Sequence, residues 1–201
     1  MATTPALLLH FDDETEAAAR LAQAGGFACA CIERHRFPDD ELRLRLPPRL
    51  PPQVLLLRSL HRPNEKLVEL MLAARGARAL GAQRLGLVAP YLAYMRQDFA
   101  FREGEVVSQR IVGDFLAVLF DALLTVDPHL HRIDHLAEAV PLGDAVALSA
   151  APLLGELVAA RRPDALLLGP DEESAQWVEA AAAAGGLAHA VCVKTRHGDR
   201  E

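Results

Sequence analysis

Cysteine is scarce. Cys29, Cys31 and Cys192 are the three in 201 residues, and they make no paired framework. That usage fits a reducing compartment, so a cytoplasmic protein is expected. Long apolar runs are missing as well: the longest are strand length, short of the ~18–20 residues a membrane helix needs, so no membrane partner is expected. No basic stretch precedes an apolar one near Met1, and the N-terminus does not read as a secretory signal. Basic charge is in deficit, with 21 Lys+Arg against 27 Asp+Glu and a formal net charge of -6. This argues against nucleic acid as the main partner while leaving room for a local cationic pocket. No glycine-rich loop matches a Walker motif or a dinucleotide fingerprint, so any nucleotide is bound in another way.

What is present is globular. Hydrophobic residues make up 51% and charged residues 24%, which excludes disorder over most of the length. Ala6 to Phe11 is a short apolar run, and Glu14 to Ala24 has helix-forming composition stopped by Gly25-Gly26. Ala28 to Glu33 reads as a second strand, on which Cys29 and Cys31 are expected as buried small residues rather than metal ligands. Leu42 to Leu46 alternates like a half-exposed strand, prolines 47, 48, 51 and 52 break the chain, and Val54 to Leu57 resumes as a buried strand. Helical spacing at Leu67, Leu70, Met71 and Ala74 predicts a helix over 63–80, ahead of a strand at Leu85 to Ala89. A helix over 108–120 is expected to turn Ile111, Phe115, Val118 and Leu119 inward before a strand at Leu123 to Val126. Further on, Ser149 can cap a helix over 152–161, and a strand at Ala165 to Leu168, a helix over 172–184 and a strand at Leu187 to Val193 complete the pattern. The alternation predicts an α/β fold with a mainly parallel, doubly wound sheet. A boundary near Leu148 gives a first domain of 1–148 and a second, 149–201, with too few strands for a complete sheet.

In such sheets ligands gather at the carboxyl ends of strands. Five polar clusters stand at such places or beside them. Tyr91 to Asp98 contains Arg96, Gln97 and Asp98, able to grip phosphate, or equally to form a surface loop with Arg96 paired to Asp98. Asp127-Pro128-His129-Leu130-His131 offers metal ligands or hydrogen-bonded structural histidines. Gly169-Pro170-Asp171-Glu172-Glu173 offers a metal-bound carboxylate or a helix cap. Lys194-Thr195-Arg196-His197 concentrates donors suited to a developing phosphate charge, or is a solvated basic end. In Arg36-Phe37-Pro38-Asp39-Asp40-Glu41, Phe37 can stack on a purine, or sit buried beneath an acidic turn.

The order of these clusters, with Ser59-Leu60-His61-Arg62-Pro63-Asn64-Glu65-Lys66 between the first two along the chain, resembles ribose-phosphate pyrophosphokinase, also called phosphoribosyl pyrophosphate synthetase. The resemblance covers nearly the whole chain, and Tyr91 to Asp98 is its most specific part. It implies two phosphoribosyltransferase-type domains, the first complete and the second partial. It also implies transfer of the diphosphoryl group of ATP to the 1-hydroxyl of ribose 5-phosphate with Mg²⁺, giving phosphoribosyl pyrophosphate and AMP. Carried over residue by residue, Phe37, Asp39 and Glu41 hold adenine of a neighbouring subunit's ATP, which requires at least a homodimer. Arg96, Gln97 and Asp98 fall in the ATP-contacting stretch, His129 and Asp171 match metal-binding positions, and Lys194 and Arg196 match a mobile catalytic loop. Pro128 departs from the family's usual aliphatic residue, and Glu172-Glu173 from a glycine-rich continuation. The family's ribose-phosphate loop would fall past Glu201, so the chain is expected to be cut within its second domain and inactive alone. The alternative is a non-catalytic, nucleotide-binding regulatory homologue that associates with an active synthetase.

Overall fold

The computed structural model describes residues 6–193. Its contacts divide the chain into two compact units, Met1–Ala147 and Leu148–Glu201. In the first, β1 (Leu7–His10) passes through a single 3-10 turn into α1 (Thr15–Gly25), and β2 (Ala28–Cys31) returns beside β1. β3 (Glu33–Arg36) and β4 (Leu42–Arg45) follow, then β5 (Gln53–Leu57), α2 (Pro63–Ala79), β6 (Arg84–Ala89), α3 (Ser108–Leu119), β7 (Ala122–Val126), α4 (Leu136–Ala139) and β8 (Asp144–Leu148). Six strands form one sheet in the order β2-β1-β5-β6-β7-β8, and the pairs from β2 to β7 are all parallel.

Both faces of this sheet are covered. Leu9, Leu56, Leu87 and Leu123 lie in register across four strands, and all four belong to the larger core cluster with Leu70 and Ala74 of α2 and Val112 and Leu116 of α3. The alternate residues Leu8 and Leu57 join Ala18 and Ala22 of α1 in a second cluster. Since successive side chains on a strand point to opposite faces, α1 covers one side and α2 with α3 the other. This is a doubly wound α/β arrangement, and it explains why β5 and β6 read as continuous apolar runs.

Gly26 closes α1 at φ +66, with its N–H on Ala22 O, and the Phe27 N–H accompanies it on the same carbonyl. The left-handed turn makes glycine the suitable residue there. Three expectations are corrected. Cys29 and Cys31 are exposed, because β2 is the edge strand of the sheet. The run expected as one strand through Glu33 divides after Cys31: Ile32 is buried with its N–H on His10 O, and β3 then leaves the sheet to pair antiparallel with β4. The inward face of α3 is Val112, Gly113, Leu116 and Leu119, while Ile111 and Val118 are 59% and 72% exposed. Gly113 sets this rotation, since a Cβ there would overlap the carbonyl oxygen of Ala139 in α4.

The second unit holds α5 (Ala151–Arg161), β9 (Leu166–Gly169), a 3-10 turn at Glu172–Ser174, α6 (Ala175–Gly185) and β10 (Ala188–Val191). β9 and β10 pair in parallel. The N-cap of α5 is Ala150 rather than the expected Ser149, which stands one residue earlier and accepts from the Ala151 N–H at 3.2 Å. α5 and α6 approach closely because Gly155 has no Cβ to meet the Ala181 carbonyl.

Candidate functional site

The parallel strands of the first unit deliver their carboxyl ends to one edge of the sheet. There lie Phe11 to Glu14 after β1, Arg58 after β5, Pro90 to Asp98 after β6 and Asp127 to His131 after β7. The β3–β4 hairpin stands apart from the sheet, and its tip carries the expected aromatic and acids. The Phe37 N–H donates to Glu41 O at 2.8 Å, and the Asp40 N–H to Phe37 O at 3.0 Å. Asp40 takes φ +69, and Asp39 accepts from the Glu41 N–H at 3.3 Å. Phe37, Asp39 and Glu41 are all exposed, so Phe37 is not the buried residue of an acidic turn. His35 meets its ring edge-on at 4.9 Å, and the Arg43 guanidinium lies 5.8 Å from its centroid.

The loop after β6 is anchored by burial of Leu92, Ala93 and Met95. Gln109 of α3 holds it from below, donating from Nε2 to Met95 O at 3.3 Å and from its backbone to Gln97 O at 3.2 Å. Tyr94 sits at φ +62, and its hydroxyl donates to Asn64 Oδ1 in the first turn of α2. The Arg96–Asp98 pair of the surface-loop alternative does not form. Asp98 instead meets Arg132 Nε at 3.5 Å, which leaves Arg96 exposed and without an ion pair among the described residues. Gln97 Nε2 donates to Phe99 O at 3.0 Å. No hydrogen bond or ion pair among the described residues joins the hairpin tip to this loop.

His129 is half-buried, and His131 Nε2 lies 3.0 Å from its Nδ1. The two residues alternate along the backbone yet converge, following Asp127 at φ +42. In the second unit Asp171 caps the 3-10 turn, accepting from the Ser174 N–H at 3.1 Å, while Ser174 Oγ donates to Asp171 O at 2.5 Å. Lys194 and Arg196 lie outside the described residues.

A buried ionic cluster lies beneath the hairpin. Arg58 donates to Asp13 at 2.7 Å, to Glu14 at 3.1 Å and to Glu69. Glu69 also takes Arg34 of β3, which reaches Asp12 at 2.8 Å. The Arg58 guanidinium stacks 4.5 Å from the Phe11 centroid. Burial alone would lower the pKa of Arg58, but Asp13, Glu69 and Glu14 together outweigh it and raise it. Burial pushes the Lys66 ammonium down, and the charge of Arg58 adds to that effect. Sequence reasoning assigned these residues no role. Their signal was an arginine closing an apolar strand, and charged residues at 66 and 69, three apart and therefore on one helix face.

Residues 6–119 match the family model described as the N-terminal domain of ribose phosphate pyrophosphokinase. The chain belongs to the ribose-phosphate pyrophosphokinase family. It is 37% identical to the ribose-phosphate pyrophosphokinase of Methanopyrus kandleri over 175 residues, covering 84% of this chain and 57% of that protein. It is 32% identical to that of Thermococcus kodakarensis over 187 residues, covering 93% of this chain and 63% of the relative. The chain thus spans about three fifths of the length of these pyrophosphokinases. A crystal structure of phosphoribosylpyrophosphate synthetase from Mycobacterium smegmatis has the same fold at TM-score 0.82 and 24% identity, over 96% of this chain and 65% of that one.

Proposed function

We propose that the chain is the N-terminal domain and the beginning of the second domain of a ribose-phosphate diphosphokinase. The reaction moves the diphosphoryl group of ATP to the 1-hydroxyl of ribose 5-phosphate. The observation that carries this reading is the loop after β6, which is held rigidly by Leu92, Met95 and Gln109 while presenting an uncompensated Arg96. A fixed guanidinium with open donors is suited to grip a triphosphate tail through forked hydrogen bonds. Gln97 and Asp98 keep the same loop in shape from its other side.

The exposed Phe37, Asp39 and Glu41 serve adenine in a neighbouring copy, Phe37 by stacking and the two carboxylates by accepting from the amino group. Their position on a projecting tip, unconnected to the Arg96 loop, supports a homo-oligomer of at least two chains. His129 and Asp171 each contribute to Mg²⁺ binding. A hard carboxylate oxygen suits this ion, which keeps several waters and takes few protein ligands. Bound Mg²⁺ neutralises charge on the phosphate oxygens. Lys194 and Arg196 add positive charge around the transferring group, so that positioning and charge do most of the catalysis. Among the described residues no helix is long and apolar enough to cross a membrane; the sparse, unpaired cysteines support a cytoplasmic enzyme.

The test is AMP release from ATP with ribose 5-phosphate and Mg²⁺. A version extended past Glu201 by the second-domain residues of the Methanopyrus kandleri relative should turn over, and Lys194→Ala in that version should abolish most of it. The 201-residue chain alone should show none. An extended protein that binds nucleotide but yields no AMP would replace the enzyme reading with that of a non-catalytic regulatory homologue.

A further inference from the structure

Cys29 and Cys31 take no part in the site described above. Both are exposed on β2, the edge strand of the six-stranded sheet, which pairs with β1 alone. Two positions apart on an extended strand, they share one face of it, with Cα atoms about 6.6 Å from each other. Register shows which face this is. Cys29 stands beside Leu8 and Cys31 beside His10 on β1, and Leu8 packs in the cluster that contains Ala18 and Ala22 of α1. The two thiols therefore lie together on the α1 side of the sheet, at its solvent margin.

The chemistry open to this pair is narrow. Cys31 Sγ makes one long contact, donating to Ile32 O at 3.6 Å, and Cys29 makes no hydrogen bond among the described residues. Both sulfurs keep their lone pairs for a ligand. Partial burial raises both thiols above the ordinary 9.0, and at Cys31 the charges of Asp12, Cys29 and Glu33 add to it against Arg34. Thiols that hold their protons in this way are weak nucleophiles and slow to oxidise. A disulfide is disfavoured by geometry as well, since the ~6.6 Å separation along a strand falls at the upper end of the ~4.4–6.8 Å that such bridges span.

We propose that Cys29 and Cys31 together form a two-coordinate site for a soft monovalent metal ion, Cu(I). Thiolate sulfur selects such an ion over the hard cations that seek oxygen. Zinc asks for four ligands in a structural site. Among the described residues of the first unit, no histidine or carboxylate completes a three-ligand group with the two sulfurs. His10, the register partner of Cys31, is buried with its Nδ1 2.8 Å from Phe11 O. Two metal–sulfur bonds of about 2.3 Å hold their sulfurs up to about 4.6 Å apart. Side chains leaning toward each other from neighbouring positions on one face reach that span with the backbone unmoved. As two S–Cu bonds form, two S–H protons pass to the buffer, and the ion keeps its oxidation state. The site involves none of the residues assigned to ATP, Mg²⁺ or the transferring group, so it stands apart from the diphosphokinase reading.

The experiment is anaerobic titration of the reduced 201-residue chain with Cu(I) held by the chromogenic chelator bicinchoninate. The chain should withdraw one Cu(I) per molecule from the chelator, and Cys29→Ser and Cys31→Ser should each abolish the withdrawal. Cys192→Ser should leave it unchanged. Because both thiols are protonated near neutrality, apparent affinity should rise about a hundredfold per pH unit between about pH 6 and 7, the mark of two protons released. Sedimentation of the loaded chain should give the same oligomeric state as the metal-free chain. Both serine variants replace an exposed side chain with one of similar size, so their Tm without metal should match that of the unaltered chain. Failure to withdraw Cu(I), or withdrawal that survives in either serine variant at 29 or 31, overturns the proposal. So does an oligomer that forms only with Cu(I), since the ion would then bridge two chains, or a pH slope of one proton. None of these outcomes bears on AMP release by the extended protein.

Discussion

The carboxylate of Glu69 accepts from the guanidinium of Arg58, and each of these side chains is only 1% exposed. Glu69 comes from α2 and Arg58 from the end of β5, while the other oxygen of the same carboxylate takes Arg34 from β3. One acidic group therefore joins the sheet, a helix and the hairpin.

Removing that group leaves two guanidinium ions short of a partner, one of them fully buried. Glu69→Ala should lower the unfolding free energy by ~3–5 kcal/mol, the usual cost of breaking a buried pair. Urea denaturation checks this. Glu33→Ala, which removes the exposed partner of Arg45, should cost less than ~1 kcal/mol in the same experiment. Equal losses in the two variants would show that the buried pair carries no special weight.

Acid should destabilise the fold in a defined window. Burial raises the pKa of Asp13, but hydrogen bonding and charge from Arg58, with Arg34, outweigh it and leave the carboxyl below its ordinary 3.8. Asp121 behaves alike: burial is outweighed by the Leu85 N–H and by Arg78 and Arg84. Because both folded values are depressed, the stability these groups contribute is complete above about pH 3.8 and is lost as pH falls through the lower folded values. Thermal scans across this range should show the fall, and Asp121→Asn should make it shallower. A Tm independent of pH below that point would contradict the assignment.

Gly113→Ala should destabilise by ~1–3 kcal/mol, the range for overpacking, because its methyl would press on the Ala139 carbonyl. Gly143→Ala is the control, since nothing stands within 4 Å of a Cβ there. A thermal shift assay that ranks the two alike would remove Gly113 as the residue that sets the rotation of α3.

On the adenine role proposed for the hairpin tip, Phe37→Ala should weaken ATP binding by ~1–3 kcal/mol, the range for an aromatic stacked on a base. Its Tm should stay near that of the unaltered chain, because the ring is exposed on the hairpin. Nucleotide affinity unchanged in this variant would take the tip out of the adenine site.

The sequence reading succeeded where local chemistry is decisive. Apolar runs such as Val54 to Leu57 declare a strand buried on both faces, and Gly25-Gly26 declares a left-handed stop, because each depends on neighbours a few positions away. It failed where a distant contact decides. Ile111 and Val112 are equally apolar, and only the approach of Ala139 to Gly113 selects the second for the interior. β8, exposed along nearly all of Asp144 to Leu148, and the single-turn α4 carry too little apolar signal to be read. In the site, side-chain types and their order were legible at Phe37 to Glu41 and Tyr91 to Asp98. The Arg58 cluster was not, since its acids stand 11 to 45 positions away and ordinary expectation puts every one of them in solvent.

The ladder between β3 and β4 closes on itself and gives no hydrogen bond to the six-stranded sheet. Side chains at its apex can thus be exchanged without disturbing the framework that folds the rest. On the adenine role proposed for this tip, altering Asp39 and Glu41 would then be a route to changing which nucleobase is preferred, a selectivity dial set outside the core.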